Sequence, residues 1–219
     1  AGPRARYEAN AAALRTLRDL RRTGATASPE QQLILSRWTS WGAIPEVFDD
    51  AKPEWSRQRD ELRELLTDKE WAQARRTTLN AHYTSPEYVT EVWGALRDLG
   101  FDGGAVLEPG SGSGTFIGHA PSSAAMTGVE LDPVTADISR HLYPLATIRS
   151  ESFADTRIPS DYFDATVGNV PFGKFALHDP IDNANGHSIH NHFILKSLRL
   201  TRPGGIVAVL TSHFTLDQA

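Results

Sequence analysis

The sequence predicts an α/β fold, a doubly wound parallel sheet preceded by an α-helical N-terminal extension. Three observations carry that expectation. Short apolar runs recur from residue 105 onward, separated by segments long enough for right-handed crossovers. A glycine-rich turn follows the first of those runs, and the residues before 80 show helical periodicity.

The chain has 219 residues, enough for one full core plus an appendage. Its apolar share of 40% and charged share of 22% are those of a globular protein. No apolar run approaches the roughly 20 residues that span a bilayer, so no membrane partner is expected. Cysteine is absent, which excludes disulfides and thiolate metal sites, and the expected location is the cytoplasm. The net charge of −5 argues against a broad nucleic-acid footprint on this chain. Arg4, Arg6, Arg15, Arg18, Arg21 and Arg22 gather near the start. They suit phosphate contacts, but a solvated helix face is the plainer reading.

The helical part reads in order. Ala9 to Arg22 places Leu14, Leu17 and Leu20 at helical spacing, and Gly24 stops it. Ser28-Pro29-Glu30-Gln31 and Thr67-Asp68-Lys69-Glu70 are capping boxes that open two further helices. Glu54 to Leu66 is amphipathic. Trp38, Trp41, Trp55 and Trp71 are expected core residues with no catalytic role. Ser85-Pro86 then opens a helix carrying Tyr88, Val89, Val92, Trp93, Leu96 and Leu99, which Gly100 ends. Strands are expected at 105–107, 126–129, 145–148, 165–167 and 206–210.

Ligands of such sheets bind beyond the carboxyl ends of the strands. The first strand ends in Glu108-Pro109-Gly110-Ser111-Gly112-Ser113-Gly114, where Gly110, Gly112 and Gly114 let the backbone approach a ligand. The second ends in Glu130-Leu131-Asp132, where a carboxylate suits the paired hydroxyls of a ribose. Two cofactor classes share this layout. The dinucleotide fingerprint wants a third glycine where Thr115 stands, and Glu108 would repel a pyrophosphate. S-adenosyl-L-methionine, with its sulfonium and ammonium, suits Glu108 and Glu130 instead. After the third strand, Phe153 is placed to cover an adenine face. Asp155 either accepts from the adenine amino group or caps the next turn.

The fourth strand ends in Thr166-Val167-Gly168-Asn169-Val170-Pro171-Phe172-Gly173. The Asn169 side-chain oxygen and the Val170 carbonyl are two acceptors that can hold both N–H groups of an exocyclic amine. Pro171 stiffens the turn, and Phe172 offers a stacking face. His187, His190 and His192 lack the spacing and acidic partners of a metal site, so no metal is expected.

The motifs E-P-G-S-G-S-G, G-V-E-L-D and N-V-P-F together resemble those of adenine-N6 DNA methyltransferases. Asn80-Ala81-His82-Tyr83-Thr84-Ser85-Pro86 looks like that family's N-terminal cofactor motif, which implies Tyr83 and Thr84 at the methionine end. Trp41-Gly42-Ala43-Ile44-Pro45-Glu46-Val47-Phe48, followed by Thr78 to Thr84, is similar to large helicase–methylase proteins of phages, plasmids and integrative elements. The resemblance runs from about Trp38 onward. It implies a Rossmann-like methyltransferase sheet, methyl transfer to the N6 amine of a flipped-out adenine in DNA, and a restriction-modification setting. Catalysis would fall to Asn169, Val170, Pro171 and Phe172.

Two positions depart from the family pattern. Val170 replaces the usual second-position proline, and the third-strand acid falls at Asp155 where Ala154 stands in register. The expected boundaries are 1–79 for the helical extension and 80–219 for a methyltransferase domain truncated after its fifth strand, without its closing hairpin. A C-terminal target-recognition or helicase region of a longer protein is the implied partner beside DNA. The alternatives are a protein-glutamine methyltransferase, which presents a similar strand end to a side-chain amide, and a non-catalytic methyltransferase-like module.

Overall fold

The computed structural model describes residues 2–78 and 84–211. They group into two compact units, one of residues 2–78 with 132–144 and one of residues 84–131 with 145–211. The expected boundary near residue 80 thus has a return crossing, because the segment after the second strand groups with the helical unit.

The helical unit holds α1 (Pro3–Thr23), α2 (Pro29–Leu35), α3 (Ser56–Leu65), α4 (Asp68–Thr77) and α7 (Pro133–Leu142). Gly24 ends α1 in the left-handed conformation at φ 66°, returning its N–H to the Leu20 carbonyl. Both capping boxes form: Ser28 with Gln31 opens α2, and Thr67 with Glu70 opens α4. The four tryptophans are buried as expected. Trp38, Trp41, Phe48 and Trp71 make a chain of edge-on rings with centroids 5.5, 5.5 and 4.9 Å apart. Such pairs add about 0.5–1.5 kcal/mol each beyond the area they bury. Trp38 Nε1 donates to Thr135 Oγ1 at 3.0 Å, which fixes α7 to this core beside Val134 and Ile138.

The arginines of α1 are engaged within this unit. Arg15 pairs with Glu61, Arg21 with Glu70 and Asp137, and Arg4 lies 4.2 Å from the centre of the Trp55 ring.

The second unit holds α5 (Pro86–Asp98), α6 (Thr115–Gly118), α8 (Ile189–Leu200) and five strands. These are β1 (Gly104–Pro109), β2 (Ala124–Glu130), β3 (Thr147–Ser150), β4 (Phe163–Asn169) and β5 (Thr201–Leu210). All pairings are parallel in the order β3-β2-β1-β4-β5. The chain winds outward from β1 to β3, then returns across β1 to begin β4. The switch point therefore lies between β1 and β4, where ligands of such sheets bind. Val106, Leu107, Ala165 and Val167 are buried, as strands covered on both faces require.

Three expectations shift. Leu145 is fully exposed on the turn before β3, which begins at Thr147. In α5 the buried stripe is Val89, Trp93 and Leu96, while Tyr88 and Leu99 face out. The fifth strand begins at Thr201, because a bulge opposite Phe163 and Ala165 absorbs Arg202-Pro203-Gly204-Gly205. Among the described residues no helix is long and apolar enough to cross a membrane.

Candidate active site at the β1–β4 switch point

Glu108 closes β1 with its side chain buried, and its Oε2 accepts the Ile117 N–H at 3.1 Å. Burial pushes this carboxyl well above the usual carboxylate range, the nearby Glu130 adds to the effect, and the N–H groups of Ile117 and Phe116 oppose it. A buried acid of this kind gains its charge back when a cation arrives beside it.

The loop after Glu108 has a defined shape. Gly110, Gly112 and Gly114 have φ of 67°, 54° and 88°, a region where a side chain is strained. The Gly112 N–H donates to Glu130 Oε2 at 2.8 Å, and the Ser111 N–H donates to the Val129 carbonyl at 3.0 Å. Two neighbouring strand ends are thereby tied through the loop, with Glu130 only partly buried at its rim.

The end of β4 closes on the same place. A Cβ added at Gly168 would lie 3.6 Å from Glu108 Cγ and 3.5 Å from the Pro109 carbonyl oxygen. A Cβ added at Gly110 would lie 3.6 Å from Pro171 Cδ. The residues flanking Asn169 therefore lie beside the first-strand acid and the glycine loop. Asn169 itself is partly exposed, and its side-chain amide has no partner among the described residues. Val170 is buried and donates its N–H to the Leu210 carbonyl at 3.0 Å, which locks the corner to β5. Phe172 is 39% exposed.

Asp132 is the N-cap of α7 in the helical unit, with Oδ2 accepting the Thr135 N–H at 3.1 Å and Oγ1–H at 2.5 Å. Its burial and these bonds commit it to the cap rather than to a ribose. Asp-Pro with Thr three residues on is a helix-start pattern, so the signal was present in the sequence. Phe153 is buried against Phe193, with centroids 4.8 Å apart, so it presents no open face for an adenine. Asp155 is exposed in the turn after β3, where its N–H donates to the Ser152 carbonyl. Thr84 is partly exposed just before α5, and Tyr83 lies outside the described residues.

One buried polar cluster was missed by sequence reasoning. Lys196 on α8 is fully buried, with Nζ 2.8 Å from Asp179 Oδ2, 3.4 Å from Asp182 Oδ2 and 3.3 Å from the Ala154 carbonyl. His192 Nε2 lies 3.1 Å from the same Asp179 oxygen, and Arg199 pairs with Asp182. Burial opposes the ionised form of both carboxyls. The bonds from Lys196 and His192 to Asp179, and from Arg199 to Asp182, outweigh it and hold both below the usual range. The available signal was periodicity, since His192 and Lys196 share the α8 stripe of Ile189, Phe193 and Leu200, whereas Leu198 faces out.

The fold is similar to that of solved structures of the class I S-adenosylmethionine-dependent methyltransferase type. A Listeria monocytogenes protein of that type superposes with a TM-score of 0.52 at 14% identity, over 97% of this chain and 76% of that one. The methyltransferase subunit of a Streptococcus thermophilus type I restriction-modification system also gives 0.52, at 13% identity over 86% and 53% of the two chains.

In sequence, the chain is similar to the defense against restriction protein B of Escherichia phage P1, at 29% identity over 94% of this chain and 8% of that protein. It is also similar to the type II methyltransferase M.XamI of Xanthomonas campestris pv. amaranthicola, at 28% identity over 51% of this chain and 26% of the enzyme. The chain thus spans a small part of either relative. No protein-family profile matches it.

Proposed function

We propose that this chain carries the catalytic core of a DNA adenine-N6 methyltransferase that uses S-adenosyl-L-methionine. One observation carries the reading: Gly168 against Glu108 and Pro171 against Gly110 join an amide-and-ring corner to an acid-lined glycine loop at the switch point. The buried Glu108 fits a cation far better than a pyrophosphate, and the partly exposed Glu130 suits ribose hydroxyls. The cofactor would supply an electrophilic methyl group, transferred with loss of one N6 proton.

Each residue has a physical task in this reading. Asn169 Oδ1 and the Val170 carbonyl accept the two N–H groups of the amine and so aim its lone pair. Pro171 fixes the turn against the glycine loop. Phe172 stacks on the base, which offsets part of the few kcal/mol that extrusion from a duplex costs. Catalysis is mostly positioning, since nucleophile and methyl need only be held in line at near-contact distance.

The similarity to M.XamI and to the type I subunit supports DNA as the acceptor. Similarity to the phage protein over nearly the whole chain supports a place within a much longer polypeptide, with target recognition or helicase activity supplied from other regions. The same relatives support a restriction-modification or anti-restriction setting, and a cytoplasmic location is part of this reading. The test is calorimetric titration of the chain with S-adenosylmethionine, followed by an assay for N6-methyladenine in DNA. Binding together with transfer to adenine supports the reading, and methyl appearing on a protein glutamine overturns the choice of acceptor.

A further inference from the structure

The segment 173–188 between the Asn169–Phe172 corner and α8 has an unusual division of its side chains. Its two acids point inward. Asp179 is 1% exposed, and the side chain of Asp182 is 4% exposed in its pairs with Lys196 and Arg199. Asn183 adds a clamp, donating to the Leu177 and His187 carbonyls and accepting the His187 N–H at 2.7 Å. The Phe175 carbonyl accepts the Ile189 N–H at 2.9 Å. A loop anchored at this many points is a rigid surface feature.

Its outward side carries the opposite chemistry. Phe175 is 46% exposed and Ile181 62%, with Lys174 and His178 also exposed. The Phe175 ring lies against Gly173, where an added Cβ would come within 2.9 Å of it. Phe172 precedes that glycine in the chain and Phe175 packs over it, and both rings are partly exposed. The segment's negative charge is neutralised inside, and its outward charge is the Lys174 ammonium.

We infer that this loop is a preformed platform for the DNA strand beside the target base, with Phe175 stacking on a neighbouring nucleotide and Lys174 meeting its phosphate. Exposed rings interleaved with a cation, and acids turned away, are what a single strand of nucleic acid requires of a surface. Continuity with the Asn169–Phe172 corner places the platform where the strand must pass once its adenine is extruded. The ion cluster around Lys196 keeps the loop rigid, so little ordering entropy is lost on binding. This inference rests on the DNA reading above and deepens it.

The test uses the whole chain, a fluorescein-labelled adenine-containing single-stranded oligodeoxynucleotide, and calorimetry with S-adenosylmethionine on the same samples. Phe175→Ala and Phe175→Leu are expected to weaken oligonucleotide binding about tenfold or more, and Phe175→Tyr to retain it. Lys174→Gln is expected to weaken it less and to lower the slope of affinity against salt by about one phosphate contact. Cofactor affinity and melting temperature should stay unchanged in all four. If the unaltered chain binds DNA and Phe175→Ala binds within twofold of it, the platform is overturned while the DNA reading stands. A chain that binds cofactor but not DNA overturns the platform and the acceptor, and one that binds neither overturns the whole reading.

Discussion

Glu108→Gln isolates the physical origin of cofactor preference. The amide keeps an acceptor for the Ile117 N–H, now at 3.1 Å, so the local fold need not change. What disappears is a buried charge that is costly without a cation and valuable with one. An ion pair at about 4 Å is worth roughly 4 kcal/mol at an effective dielectric near 20, and desolvation returns part of it. A net loss of roughly 2–4 kcal/mol corresponds to roughly 30- to 900-fold weaker S-adenosylmethionine binding.

The sign of the pH effect is also fixed. The folded carboxyl titrates above its unfolded value, so its contribution to stability is full below about pH 4 and falls as pH rises through the raised value. Glu108→Gln should therefore flatten the stability profile of the cofactor-free chain above pH 4. Binding a cation should also release protons from the wild-type site. Calorimetry in two buffers of different ionisation enthalpy reads this directly. Unchanged affinity in the variant, with no buffer dependence in the wild type, would refute the assignment of Glu108 to a cationic ligand.

Two further substitutions probe the scaffold. Lys196→Met removes the cation bonded to Asp179 and one of the two beside Asp182, which keeps Arg199, and should cost about 3–5 kcal/mol in chemical denaturation at neutral pH. Because both folded carboxyls titrate below their unfolded values, that deficit should narrow as pH falls below about 4, and a deficit independent of pH would contradict the pairing. Gly112→Ala meets open space but a φ of 54°, so a net cost of about 1 kcal/mol is expected from backbone strain alone. A stabilised variant would show that the loop does not hold this conformation.

Much of this architecture was legible because local signals agreed with the global fold. The capping boxes at Ser28 and Thr67, the glycine stop at Gly24 and the apolar runs around Val106 and Val167 each describe their own surroundings. The placement of Glu108, the glycine loop and Asn169 at strand ends of one sheet was legible because such ends converge whatever their separation along the chain. What remained hidden depended on partners distant in sequence. Asp132 is the exception, expected at the ribose although its cap partner Thr135 stands only three residues on. Phe153 reads as a cover for adenine until Phe193 packs against it. Lys196 on a buried stripe looks like a mistake in periodicity until Asp179 and Asp182 reach it from a loop.

The central claim is that the amide-and-ring corner serves the acceptor while the glutamate-lined loop serves the cofactor, across one shared cleft. Asn169→Ala separates the two most directly, measured by S-adenosylmethionine titration and by methyl transfer to DNA adenine on one preparation. The account predicts transfer at least about 100-fold slower, with cofactor affinity within about threefold of wild type. A parallel loss of both, or transfer that survives the substitution, would contradict it.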